Sequence, residues 1–215
     1  MEIKIEQLYR FQASCKIVRK DTTARNFVEI GGVDATFKKY VPHDSWLILD
    51  KYGNPDVVAD LDGRTSRLPF EDNSIEYVIC TEVLEHLRMG TPLLQEIFRC
   101  LRPNGEFFVT VPNAVSLGNR LKWLLGRVPY MAASGDCGAP LGGTGILIDG
   151  HWEASHVIDF NKLRLGKYLN RVGFQIDKWY SLGANTGLGF KLPSSLTPIS
   201  LNDFLAVKVR KPQKN

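Results

Sequence analysis

The stretch Leu68-Pro69-Phe70-Glu71-Asp72-Asn73-Ser74-Ile75-Glu76-Tyr77-Val78-Ile79-Cys80-Thr81-Glu82-Val83-Leu84-Glu85-His86-Leu87 decides the fold. Ile75 to Cys80 reads as a short apolar strand, followed directly by a helical piece around Val83, Leu84 and Leu87. Downstream, Thr91-Pro92 supplies a side-chain cap and an N-terminal proline before Leu93, Leu94, Ile97, Phe98 and Leu101, the pattern of a well-signalled helix. Pro103-Asn104-Gly105 then turns the chain into Phe107 to Val111, the strongest strand pattern in the sequence. Upstream, Phe27 to Ile30, Trp46 to Leu49 and Val57 to Ala59 read as three more strands, with room for only a short helix before Val41. Ile5, Leu8, Phe11, Cys15 and Val18 recur at helical spacing and predict an amphipathic helix within residues 1–24. Leu163 to Leu169 suggests a helix ending before Gly173, with strands at Phe174 to Trp179 and Phe204 to Val209. Short apolar strands alternating with helices predict an α/β domain whose parallel sheet is covered on both faces.

The 215 residues form one expected domain, 44% hydrophobic and 23% charged, which excludes a disordered tail, a collagen-like chain and a coiled coil. No apolar run approaches the ~18 residues of a membrane helix, and the start MEIKIEQLYR has no apolar signal region. Cys15, Cys80, Cys100 and Cys137 are widely spaced without a CxxC pair, so reduced thiols in a cytoplasmic protein are expected. The net charge of +4 is drawn partly from Lys208, Arg210, Lys211 and Lys214, read as a frayed basic end. From Gly126 to Gly150 the composition shifts to glycine, with Pro129 and Pro140 and no sustained period. Residues 126–156 are therefore expected to be a long loop, a candidate lid.

In an open parallel sheet, ligands bind beyond the carboxyl ends of the strands. The candidates there are Glu29 to Ala35, Asp50, Asp60 to Asp62 and Thr81 to His86. Gly31 and Gly32 carry no Cβ to keep a ligand from the backbone. Asp50, at the end of the second strand, stands where a carboxylate accepts both hydroxyls of a ribose. Asp60, at the end of the third, stands where one accepts an amino hydrogen from adenine.

With these residues in place, the run Leu68 to Cys80, then Glu82-Val83-Leu84-Glu85-His86-Leu87, then Glu96-Ile97-Phe98-Arg99-Cys100-Leu101-Arg102-Pro103-Asn104-Gly105, resembles the class I S-adenosylmethionine-dependent methyltransferases. The likeness is to the branch reading LPFxDxSFDxV, VLEHL and ExxRxLxPGG, and extends in weaker form across residues 25–180. It implies a Rossmann-like fold, a seven-stranded mixed sheet in the order 3-2-1-4-5-7-6 with strand 7 antiparallel. It further implies S-adenosylmethionine as cofactor, with Glu29, Gly31 and Gly32 opening the loop around its methionine part. Asp50 would take the ribose, Asp60 and Leu61 the adenine, and Thr81 and Glu82 the border of the transferred methyl. The first motif departs from the family: Val33 and Ala35 stand where its second and third glycines do, and each added side chain narrows the cofactor's passage.

The implied reaction moves a methyl group to a small-molecule or glycan- or lipid-precursor acceptor. His86 and His156 are the candidates to remove an acceptor proton, since imidazole titrates near neutral pH. The rival reading is a binding or scaffold protein that keeps the fold and has lost the cofactor at its degenerate glycine loop. No metal is expected: His151, Glu153, His156 and Asp159 lie close in sequence, but the His-x4-His interval suits no helix face and no cysteine accompanies it. Arg120, Lys122 and Arg127 make only a modest basic group, which disfavours nucleic acid as acceptor. The first helix and the glycine-rich loop are the surfaces open to a homodimer contact.

Overall fold

The computed structural model describes residues 5–32, 36–62, 67–129, 146–148, 151–153, 156–185 and 191–213. Seven strands make the central sheet: β1 (Asn26–Ile30), β2 (Ser45–Asp50), β3 (Val57–Val58), β4 (Ile75–Thr81), β5 (Leu101–Pro112), β6 (Gln175–Tyr180) and β7 (Phe204–Arg210). Their spatial order is β3-β2-β1-β4-β5-β7-β6. The first five run parallel, and β7 is antiparallel to both of its neighbours. This is the topology implied by the resemblance.

Strand period assigns the core to two faces. Val78 and Cys80 of β4, Phe107, Val109 and Val111 of β5, and Leu205, Val207 and Val209 of β7 point to one side. There they meet α3 (Gly90–Cys100) through Leu93, Leu94 and Ile97, and α5 (Lys162–Val172) through Leu165 and Leu169. The alternate residues Tyr77, Ile79, Phe108 and Ala206 point to the other side. They meet Cys15 and Val18 of α1 (Ile5–Asp21), with Phe37 of α2 (Thr36–Tyr40) in the same layer. Both faces are thus closed, which is why the sheet strands read as nearly continuous apolar runs.

Element ends follow local chemistry. In α5, Asn161 Oδ1 accepts from the Arg164 N–H at 2.8 Å, and Gly173 closes the helix at φ 113°, in the left-handed region glycine adopts freely. In α3 the expected Thr91 cap is corrected: the helix begins at Gly90, the cap position is Met89, and no side chain caps it. Pro92 is still tolerated there, because the first-turn N–H groups have no intrahelical partner.

Pro103-Asn104-Gly105 does not separate a helix from a strand. It is absorbed into β5, whose register against β4 shifts between the Ile75–Leu101 and Tyr77–Glu106 pairs, with Asn104 at φ 61°. The Asn104 N–H donates to the Lys211 carbonyl and the Lys211 N–H to the Gly105 carbonyl.

Two other expectations are corrected. The basic C-terminal segment is not frayed through Lys211: Lys208 Nζ reaches Glu106 at 2.8 Å, Arg210 Nε lies 3.2 Å from Asp177, and Lys211 Nζ donates to the Arg99 and Leu101 carbonyls. The glycine-rich stretch carries α4 (Leu117–Leu124) before it, and an antiparallel pair, Ile146–Ile148 with His151–Glu153, sits within residues 126–156. The sequence also gave no sign of the short antiparallel pair Ala184–Asn185 with Lys191–Leu192. Cys15, Cys80 and Cys100 are buried free thiols, and Cys137 lies outside the described residues. Among the described residues no helix is long and apolar enough to cross a membrane.

Candidate functional site

The parallel strands β3, β2, β1 and β4 lie side by side, so their carboxyl ends bring Asp60–Leu61, Asp50, Glu29–Gly32 and Thr81–Glu82 to one edge of the sheet. Strand order reverses between β1 and β4, the point at which open α/β sheets leave a crevice.

Gly31 has φ +80°, and its N–H donates to the Leu49 carbonyl at 2.9 Å. A Cβ there would overlap Val83 Cγ2, so the loop after β1 closes directly on the segment after β4. At Gly32 a Cβ would stand 2.7 Å from Glu29 Cδ. Both glycines therefore serve close approach, and the groups that approach are side chains of the chain itself. Val33 to Ala35, the part of the loop that departs from the family pattern, lie outside the described residues.

Glu29 is 3% exposed, and by strand period its side chain faces the α1 side of the sheet. Its Oε2 accepts from Trp46 Nε1 at 2.9 Å. Burial pushes its carboxyl up from 4.5 to about 7, against the smaller lowering from the Trp46 hydrogen bond and the charge of Lys38. Asp50 is also buried, and its Oδ1 accepts from the Tyr52 N–H at 2.9 Å, shaping the turn that leaves β2. Asp60 lies largely in solvent, 3.8 Å from Lys51 Nζ, and accepts from the Asp62 N–H; Leu61 beside it is buried. Asp62 Oδ1 in turn accepts from the Arg88 N–H at 2.7 Å, which ties the β3 exit to the chain beyond β4.

Thr81 ends β4 and is buried. Glu82 follows at φ 57°, a left-handed conformation that a non-glycine residue holds only when its surroundings impose it. Here the Glu82 N–H donates to the Thr110 carbonyl, and Thr110 Oγ1 donates to Glu82 Oε1 at 2.8 Å. The strained turn aims the next residues into a single 3₁₀ turn, Leu84–His86.

That turn meets the chain returning from the glycine-rich segment. The Glu85 carbonyl accepts from the N–H groups of Val157 and Ile158, at 2.8 and 3.1 Å. The contact brings His156 against His86, with ring centroids 4.8 Å apart and planes at 65°. Glu85 Oε1 lies 3.9 Å from His86 Nε2 and 4.0 Å from His156 Nε2. The two histidines named from sequence, 70 positions apart, thus share one cluster. Sequence reasoning assigned no role to Glu85; a glutamate between Leu84 and His86, in a turn whose neighbours are apolar, was the available signal. Asp159 does not join this cluster, and the side chains of His151, Trp152 and Glu153 lie outside the described residues.

Among the described residues no cysteine is suited to act as a nucleophile. Burial pushes the Cys15 thiol up to about 12 and the Cys80 thiol well above its ordinary value, so both stay protonated. The groove lined by Lys20, Asp21, Glu76, Arg102, Asn104 and Glu106 opens at the amino ends of β1, β4 and β5, the opposite edge of the sheet.

Residues 43–109 match the sequence profile of a family described as "Methyltransferase domain". A stretch of 54 residues is 39% identical to a Mycolicibacterium smegmatis protein named as a probable S-adenosylmethionine-dependent methyltransferase; it covers 25% of this chain and 21% of that relative. The chain therefore spans about a fifth of the length of the curated relative it matches. Solved structures align over nearly the whole chain. One comes from the complex between the Haloferax volcanii Trm112 methyltransferase activator and a methyltransferase, at TM-score 0.60 and 15% identity, covering 98% of this chain and 93% of that one. Another is the Burkholderia thailandensis 1,6-didemethyltoxoflavin-N1-methyltransferase, solved with 1,6-didemethyltoxoflavin and S-adenosylhomocysteine, at TM-score 0.53 and 14% identity, covering 95% and 79%. At such identities these structures speak for the fold. Residues 43–109 are thus similar to a methyltransferase domain, and the chain as a whole has the fold of the class I S-adenosylmethionine-dependent methyltransferases.

Proposed function

We propose that the chain is an S-adenosylmethionine-dependent methyltransferase acting on a small-molecule or glycan- or lipid-precursor acceptor. The observation that carries this reading is the row of groups along one sheet edge: Asp60–Leu61, buried Asp50, Gly31–Gly32 over Glu29, and Thr81–Glu82, in the spatial order of strands β3, β2, β1 and β4. The donor set suits the cofactor's three parts. Asp50 accepts from the ribose hydroxyls, Asp60 and Leu61 meet the adenine with an acceptor and an apolar wall, and the Gly31–Gly32 turn with Glu29 beneath it holds the amino acid end.

S-adenosylmethionine supplies a methyl group on a positively charged sulfur, which leaves with the bonding electron pair. The chain's own contribution is to hold the acceptor atom on the far side of that methyl, keep water out and handle the acceptor's proton. Glu85, His86 and His156 are the polar groups beyond β4 suited to meet the acceptor.

Calorimetric titration with S-adenosylmethionine and S-adenosylhomocysteine tests the reading. Saturable binding with one site per chain is expected. Asp50→Ala removes two hydrogen bonds to a charged acceptor, about 1.5–3 kcal/mol each, and weakens binding by at least ~100-fold. No heat at millimolar cofactor would overturn the enzyme reading and leave a binding protein with a methyltransferase fold.

A further inference from the structure

We propose that Glu85, His86 and His156 form a binding site for one divalent transition-metal ion of the zinc class. The carboxylate oxygen and the two imidazole nitrogens all lie within 4.8 Å of one another, at the junction of the 3₁₀ turn with the 156–158 segment. This set differs from the His151, Glu153, His156 and Asp159 run from which sequence spacing predicted no metal.

Zinc bonds of ~2.0–2.1 Å to imidazole and carboxylate in a tetrahedron bring ligand atoms to about 3.3 Å from one another. The observed 3.9 and 4.0 Å from Glu85 to the two histidines exceed that spacing by about 0.6–0.7 Å, so the side chains must draw together to hold one ion. The two backbone segments are already joined by the Val157 and Ile158 N–H bonds to the Glu85 carbonyl. Burial makes the charge argument. Glu85 is 1% exposed and His156 5%, and positive charge close by favours the ionised form of a buried carboxylate. One divalent ion supplies it to all three groups at once.

His86 is the exposed member, with 27% of its side chain reachable by solvent. Two histidines and one carboxylate leave a coordination position open, and solvent reaches the site at His86. An acceptor hydroxyl fits there: bound to the ion it loses its proton to solvent more readily, and its oxygen then attacks the methyl carbon as the carbon–sulfur pair returns to sulfur. This last step rests on the methyltransferase reading, whereas the metal site does not.

The test uses the full chain, free of any histidine tag, treated with a chelator, dialysed and titrated with cobalt(II) chloride, with zinc chloride as competitor. Expected are visible d–d absorption saturating at one cobalt per chain and its loss on adding zinc. His156→Ala and Glu85→Gln should each weaken cobalt binding by more than roughly 100-fold, since removing even a supporting group behind a metal ligand costs 10–100-fold. His86→Ala, at the exposed position, should keep the wild-type far-ultraviolet circular dichroism and melting temperature while losing the absorption, so a folding failure in the buried variants does not decide the matter. Absence of cobalt absorption in the folded wild-type chain, or wild-type absorption in folded His86→Ala, overturns the site. Calorimetry with S-adenosylhomocysteine on the same samples separates the two readings: cobalt bound without cofactor sinks the methyltransferase, and cofactor bound without cobalt sinks the metal.

Discussion

Glu29 shows how far one side chain's meaning depends on its surroundings. The resemblance implies an acid opening the cofactor loop, and the sheet places that acid under Gly32, hydrogen-bonded to Trp46 and nearly out of solvent. Its folded-state value near 7 lies above the ordinary 4.5. Below 4.5 the group is protonated whether the chain is folded or not. Between 4.5 and 7 the unfolded chain releases the proton and the folded chain keeps it, so stability falls as pH rises through that window and levels off above it. The full loss is on the order of 3 kcal/mol. Glu29→Gln keeps an acceptor for Trp46 and removes the titration, so its urea-unfolding free energy should decline less than wild type between pH 5 and 8. An identical decline in both proteins would show that Glu29 does not carry it. The acid and the two glycines were legible in sequence, whereas their contacts with Trp46 and Val83 were not, because Trp46 comes from β2 and Val83 from the segment after β4.

Elements are held by polar clamps as much as by apolar faces. Arg99, in the last turn of α3, donates to Glu96 and Asp72 and to the carbonyls of Leu68 and Phe70, while the Leu68 N–H donates to Glu96. The Leu68 to Ser74 approach to β4 is therefore fastened to α3, which is the physical content of a motif that sequence shows only as LPFxD and ExxR. Arg99→Ala removes the guanidinium's hydrogen bonds to two carbonyls and two carboxylates. It should lower stability by about 2 kcal/mol, while the cofactor dissociation constant stays within ~2-fold because the clamp lies away from the strands' carboxyl ends. A melting temperature equal to wild type would refute the clamp. The existence and type of these elements followed from period and turn residues. Their ends did not: Met89 rather than Thr91 caps α3, and Pro103 to Gly105 bulges within β5, since both outcomes depend on neighbours beyond the local window.

At the scale of the molecule, β7 is the piece that closes the sheet. It pairs with β5 from Phe204 to Arg210 and with β6 on its other side, and it carries Leu205, Val207 and Val209 into the core. A chain ending at Asp203 would leave β6 unpartnered and β5 as an exposed apolar edge. Such a chain should lose its cooperative thermal transition and elute from size exclusion as aggregate, whereas a sharp melt with monomeric elution would show the last strand to be dispensable. The same strand corrects the charge argument, because Lys208, Arg210 and Lys211 are bound to Glu106, Asp177 and main-chain carbonyls. By itself the sequence determined the alternation of strands and helices, the order of the motifs and the acid and glycine positions at strand ends, all of which are local patterns of period and turn chemistry. Only the tertiary structure decided that Glu85, His86 and His156 meet, that Glu29 is buried beneath its own loop, and that the basic end is paired. Each of these is a contact across tens of residues, set by strand order and side-chain burial rather than by spacing along the chain.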